Sequence, residues 1–334
     1  MAQIASLPRP ADRRSVVAVG AMLVAVALVV SVGDPGRFAW IRTFFVIFGS
    51  LLIQALPFVL LGALAAALVE VFVPIGWFEK LGVLPRPLQL PAAALAGLAF
   101  PICECGSVPV ARRLMQRGLM PSAAVTFMLA APVLNPVVIA STFVAFRGRT
   151  TLWTMVGGRF LLGMLVAIAV GWVIGNRSKD ELLKPNPEEA DEHLLELGRP
   201  EARWRRFFVH LGNDFLFMGR YLLLGATIAA AIQTFLPTSL LTGLAERQAI
   251  SILAMMALAA ALSLCSESDA FVAASFVQFG PSAMLGFLVF GPMVDLKLVS
   301  LYAGTFRRGF ARTVVLVAAA ATFVGALWVG VAFG

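Results

Sequence analysis

Pro101-Ile102-Cys103-Glu104-Cys105-Gly106-Ser107-Val108-Pro109 lies inside an apolar run that begins near Leu90. Two prolines, a glycine, a carboxylate and two thiols interrupt what would otherwise read as a membrane helix. Proline removes a backbone donor and clashes with the preceding turn, so the stretch predicts a break in regular helix. Backbone without helical hydrogen bonds survives at membrane depth only where protein buries it or water reaches it. A carboxylate at that depth is costly and marks a functional site by default. The segment therefore reads as the lining of a transport site. A second interruption, Cys265-Ser266-Glu267-Ser268-Asp269, follows in the other half of the chain.

The surrounding composition sets the class. Of the 334 residues, 60% are hydrophobic and 13% charged, where a soluble domain carries about 25% charged residues. Mean hydropathy is +0.91. The apolar runs are near helical spanning length and do not alternate, so helices are expected and a barrel is not. The formal charge is +8, but the arginines cluster at the ends of apolar runs. Membrane topology accounts for them, and nucleic acid is not an expected partner. Three cysteines without finger spacing fit neither a zinc finger nor a disulfide scaffold.

Apolar segments fall at roughly 16–33, 42–73, 90–118, 121–146, 151–175, 208–236, 248–275, 281–303 and 311–333. The predicted organisation is an N-terminal helix (1–37), a first transmembrane repeat (38–175), a cytoplasmic linker (176–206) and a second repeat (207–334). The repeat rests on matched landmarks. Pro57 to Gly62 to Pro74 has the spacing of Arg220 to Gly225 to Pro237. Cys105 matches Cys265, Ser107 matches Glu267, and Pro121-Ser122-Ala123 matches Pro281-Ser282-Ala283. Ala131-Pro132-Val133-Leu134-Asn135 matches Gly291-Pro292-Met293-Val294-Asp295.

The arginines orient the halves. With the N-terminus inside and 90–118 re-entrant, Arg112, Arg113, Arg117, the linker, Arg307, Arg308 and Arg312 are all cytoplasmic. Each repeat then crosses three times and the two are inverted. Arg147 and Arg149 become external. If 90–118 and 248–275 cross fully, the halves are parallel. The fold expected is thus an all-α integral membrane protein, a polytopic helical bundle with a two-fold, inverted repeat and broken or re-entrant helices.

The candidate substrate-binding residues are Cys103, Glu104, Cys105, Ser107, Asn135, Cys265, Glu267, Asp269 and Asp295. Thiolates are soft ligands, suited to zinc, copper(I) and thiophilic metalloids. Three thiols from two loops would suit a trivalent arsenical. Thiols with carboxylates would suit a divalent cation, with Cys105, Cys265 and Glu267 as the candidate metal set. The plainer alternative is that buried cysteine packs as a small hydrophobe. Glu104, Glu267 and Asp269 stand amid apolar sequence and could exchange a coupling proton for substrate. Asn135 between Pro132 and Pro136, and Asp295 after Pro292, predict breaks in the next helix of each repeat, either as ligands or as packing kinks. Lys297 follows as a neutralising partner for a carboxylate or as a snorkelling residue. Gln54, Glu70, Gln233 and Asp214 read as interhelical contacts. Gly157-Gly158 and Gly171 with Gly175 read as helix-packing sites. No phosphate loop or Ser/His/Asp arrangement points to catalysis, and no cofactor is expected.

The run from Pro101 to Ala111, with Gly118, Pro121 and Ala131-Pro132-Val133-Leu134-Asn135-Pro136, resembles the predicted-permease family that includes the ArsP-like organoarsenical efflux permeases. Leu264-Cys265-Ser266-Glu267-Ser268-Asp269-Ala270-Phe271 resembles its second-half signature. The resemblance spans about residues 40–333. It implies a permease. In the ArsP-like members it implies export of trivalent organoarsenicals with thiols implicated, a role that would fall on Cys103, Cys105 and Cys265.

The expectation is a multi-pass permease of a bacterial cytoplasmic (inner) membrane, exporting a thiophilic solute such as a trivalent organoarsenical or related metalloid by alternating access. One alternative is a zinc or cobalt transporter. Another is a transmembrane thiol redox carrier, which the lack of a Cys-x-x-Cys pair disfavours. Expected partners are the lipid bilayer, the small solute or metalloid, coupling protons, and a soluble or membrane partner subunit or a second copy of the chain.

Overall fold

The computed structural model describes residues 39–72, 85–99, 102–184, 202–235 and 247–333. The helix expected within 1–37 lies outside them. The first half comprises α1 (Ala39–Phe72), α2 (Arg86–Ala99), α3 (Glu104–Gln116), α4 (Pro121–Leu134), α5 (Pro136–Ala145) and α6 (Leu152–Ile174). A short α7 (Lys179–Leu182) follows. The second half comprises α8 (Ala202–Phe235), α9 (Gln248–Leu262), α10 (Asp269–Ser275), α11 (Pro281–Phe290), α12 (Leu296–Thr305) and α13 (Phe310–Phe333). Among the described residues there is no strand, only a single bridge between Leu183 and Phe306.

The all-helical expectation is met. Among the described residues, five helical stretches are long and apolar enough to cross a membrane: Trp40–Leu68, Pro121–Ala145, Leu152–Ile174, Leu211–Phe235 and Phe310–Ala332. The helices follow one order in both halves. α1 and α8 each have 34 residues, and α5 and α12 each have 10. The matched starts have a shared cause. Pro121, Pro136 and Pro281 open α4, α5 and α11, where a missing N–H costs nothing.

One expectation needs correction. The first interruption is narrower than its prolines suggest. α3 begins at Glu104, so Glu104 and Cys105 lie on regular helix, and Pro109 sits inside it. α8 starts at Ala202, and Leu182 of α7 accepts a bond from Arg307 of the second half.

Contacts fix the direction of each helix. Gly171 meets Ser122 and Thr126 while Gly163 meets Val133, so α4 and α6 run antiparallel. α6 has 23 residues, a rise of roughly 34 Å. Its far end leads into α7, where the Arg307 N–H donates to the Leu182 carbonyl (2.8 Å). The Lys184 N–H donates to the Thr305 carbonyl (3.0 Å). The α12–α13 turn therefore sits at the linker end of the molecule, and α13 runs back antiparallel to α6. The corresponding α5–α6 turn sits at the opposite end. There Arg149 Nη2 donates to the Ala274 carbonyl of α10 (2.9 Å).

α9 and α10 form a hairpin. Gln248 Nε2 donates to Ser282 Oγ (3.4 Å), Ile252 and Met256 face Gly286, and Ala259 faces Gly291. α9 and α11 are thus parallel and start at the same end, the one to which α10 returns. α1 and α8 pack along each other with the Trp40 and Phe235 rings 6.0 Å apart, so the first helices of the two halves are antiparallel.

Candidate functional site

Three interruptions meet around Glu104, the α2–α3 junction, the α9–α10 bend and the α11–α12 break, and α5, which follows the α4–α5 break, is joined to them through Thr142 and Arg159. Asn135 and Asp295 hold the two simple breaks. Asn135 caps α5 by accepting from the Val137 N–H (2.9 Å), and Asp295 caps α12 by accepting from the Leu298 N–H (2.6 Å). Both are buried. Each replaces a backbone bond that the break removes. At the α9–α10 bend, Ser263 adopts left-handed backbone (φ 49°, ψ 43°). That conformation is strained for a serine, and such strain collects at functional sites. Gln233 Nε2 donates to the Leu262 carbonyl (2.9 Å) and Gln54 Nε2 to Ser268 Oγ (3.3 Å), satisfying the bend from α8 and α1.

Glu104 stands at the first turn of α3, 1% exposed, where the helix N-terminus favours negative charge. Its Oε2 accepts from Ser266 Oγ (3.0 Å), a residue of the other half. One ligand atom each from Glu104, Cys265 and Glu267 lies within 4.8 Å of the others. This differs from the expected set of Cys105, Cys265 and Glu267. Cys105 is buried in α3 but is not a member of that group. Cys103 is the buried residue preceding α3, and all three cysteines are unpaired. Ser107 turns back on its own helix, donating to the Glu104 carbonyl (3.0 Å).

Two cations complete the centre. Lys297 Nζ lies 3.7 Å from Glu104 Oε1 and 3.6 Å from Asp295 Oδ2. Asp269 does not face the Glu104 group alone. It is held by Arg159 of α6 in a two-bond fork, with Nη1 to Oδ1 at 2.8 Å and Nη2 to Oδ2 at 2.7 Å. Arg159 also donates to Thr142 Oγ1 (3.0 Å) and to the Ser266 carbonyl (3.3 Å). This arginine is fully buried and escapes sequence reasoning, as do Ser266 and Thr142. The one signal for it was a lone Arg inside the apolar run 151–175. Excluding the neutralised Arg159–Asp269 pair, Glu104, Glu267, Asp295 and Lys297 leave two formal negative charges in the centre.

The expected interhelical residues behave as such where they are described. Asp214 pairs with Arg113 through two bonds (3.2 and 3.3 Å) at the linker end. Arg112 Nη2 donates to the Lys184 carbonyl (3.2 Å). The side chain of Glu70 lies outside the described residues.

A bundle of membrane-length helices, interrupted at one charged centre built from both halves, defines a multi-pass membrane permease. Residues 40–331 match a family model described as a predicted permease, and the chain belongs to that family. It is 39% identical over 266 residues to UPF0718 protein YcgR of Bacillus subtilis (strain 168), covering 79% of this chain and 89% of that one. It is 33% identical over 267 residues to a putative two-component membrane permease complex subunit of Streptococcus mutans serotype c (strain ATCC 700610 / UA159), covering 79% and 87%. No solved structure matches the chain.

Proposed function

We propose that this permease moves a thiophilic solute across the cytoplasmic membrane of a bacterium by alternating access, and that its cargo is a divalent cation of the zinc class. The observation that carries this is the convergence of Glu104, Cys265 and Glu267 within 4.8 Å. One sulfur with two carboxylate oxygens is a borderline-soft donor set that suits zinc or cobalt. Two uncompensated negative charges in the centre suit a doubly charged cargo. The site draws Glu104 from one half and Cys265 and Glu267 from the other, so rocking one half against the other would open and close it. The antiparallel pairs α1–α8 and α6–α13 support an inverted repeat, with the linker end cytoplasmic.

A trivalent organoarsenical is the second reading. It is favoured by the three buried, unpaired thiols and by the sequence resemblance. The name of the Streptococcus relative supports a partner subunit for this chain as well, which co-purification would recover.

The test is elemental content, by mass spectrometry, of a metal-sensitive bacterial host. Cells carry empty vector, wild type, Glu104→Gln or Cys265→Ser, and are exposed separately to zinc, cobalt and trivalent methylarsenite. A zinc or cobalt level altered by wild type, and returned to the vector level by both substitutions, is expected. Arsenic lowered by wild type, lost with Cys265→Ser and kept with Glu104→Gln, would transfer the cargo to the organoarsenical. Unaltered levels of all three elements would sink the thiophilic reading.

A further inference from the structure

Lys297 is 3% exposed and lies between two buried carboxylates that are each 1% exposed. One comes from the first half (Glu104, α3) and one from its own half (Asp295, at the α11–α12 break). Each carboxylate divides its oxygens in the same way. Glu104 Oε2 is occupied by Ser266 Oγ, and Asp295 Oδ1 by the Leu298 N–H. These bonds hold the carboxylates in place. The other two oxygens, Glu104 Oε1 and Asp295 Oδ2, are buried and have no hydrogen-bond partner. Both face Lys297 Nζ, at 3.7 and 3.6 Å. Those separations exceed hydrogen-bond length. The ammonium is thus shared by two acceptors and committed to neither.

Such an arrangement is a poor structural ion pair. Fixed pairs in a low-dielectric interior recover their desolvation only with close, bonded geometry, as the Arg159–Asp269 fork in the same molecule shows. An ammonium left equidistant is suited to moving. We infer that Lys297 is a tethered counter-cation. It is shared between Glu104 and Asp295 when the site is empty and withdraws to Asp295 alone when a cargo cation takes Glu104, Cys265 and Glu267. No bond is made or broken covalently; one cation replaces another at Glu104. Resting on the cation reading given above, this assigns Lys297 to the return step. An empty centre stripped of Lys297 would carry one more buried negative charge and would be held back from reorienting. A loaded centre stripped of Lys297 would carry one net negative charge, on the Asp295 side, against three for the empty one, because cargo offsets the charge of Glu104 and its neighbours.

Gly225 fits this role. A methyl group there would meet the Lys297 Cα at 2.6 Å, so α8 fixes where the tether is anchored. The side chain reaches the centre from a backbone clamped on α8, and only its far end is free to shift between the two acceptors.

The test separates exchange from net transport. The full chain, as wild type, Lys297→Gln or Lys297→Arg, is reconstituted in liposomes with radioactive zinc as the probe. Zinc-for-zinc exchange, with zinc on both sides, needs only the loaded step. Net movement into zinc-free vesicles needs the empty return. Lys297→Gln is expected to keep exchange within about twofold of wild type while net movement falls at least tenfold. Lys297→Arg, which keeps the charge, is expected to retain net movement. Net movement undiminished in Lys297→Gln would overturn the assignment. So would loss of both modes in a Lys297→Gln protein that still elutes as wild type on gel filtration. Wild-type protein moving zinc in neither mode would instead bring down the cation reading, and the assignment with it.

Discussion

Arg159 and Asp269 lie 110 positions apart in sequence and meet in a buried fork. Removing one partner of a buried pair leaves an unpaired charge and typically costs about 3–5 kcal/mol, whereas replacing both with apolar residues of similar size is far milder. Asp269→Asn is therefore expected to lower the thermal midpoint in detergent sharply, and Arg159→Met with Asp269→Leu to recover most of that loss. An additive double variant would show that the two residues do not act as a pair. Which residues carry the centre was partly legible. Glu104, Glu267 and Asp295 stand out because a carboxylate amid apolar sequence is costly to keep unless the site uses its charge. Arg159 does not stand out, because a single arginine beside Gly157-Gly158 has no spacing that names its partner. That Cys105 lies outside the Glu104, Cys265 and Glu267 cluster was also illegible. It follows Glu104 on regular helix, where successive side chains point about 100° apart.

At the scale of elements, the breaks at Asn135 and Asp295 follow from local chemistry, since an Asx side chain beside proline both ends one helix and caps the next. The start of α3 does not. Pro109 costs α3 only the bond its nitrogen would have given to the Cys105 carbonyl, and the helix absorbs that loss. What places α3 is a crossing with α1. A methyl group on Gly106 would meet the Gly62 Cα at 2.9 Å, so two backbones are nearly in contact beside Glu104. Gly106→Ala has to part α1 from α3 and shift Glu104 with it. Under the proposed cation reading it should reduce transport at least tenfold while membrane insertion and yield stay near wild type. Wild-type transport in that variant would show that the contact is not needed for the site.

The whole molecule was foreshadowed by its arginines more than by its apolar runs. Arg112, Arg113 and Arg307 gather with the linker at one end, and Arg149 lies at the other. The apolar runs alone could not tell a crossing helix from a hairpin, because α9 is as apolar as the helices of spanning length. Single cysteines at Thr150 and Asn176, in a chain whose native cysteines are serine, flank α6 at exposed positions. An impermeant maleimide is expected to label the first in intact cells and the second only after lysis. Labelling of both from one side would refute a crossing α6 and the inversion with it. The two unmatched negative charges at the centre have an electrical consequence. A carrier that is neutral when holding a doubly charged cargo and negative when vacant feels the membrane voltage chiefly on its vacant stroke. Each elementary charge moved through the full field is worth about 2.3 kcal/mol per 100 mV. Membrane potential would thus act as a brake or a motor on turnover without touching the affinity of the cargo site.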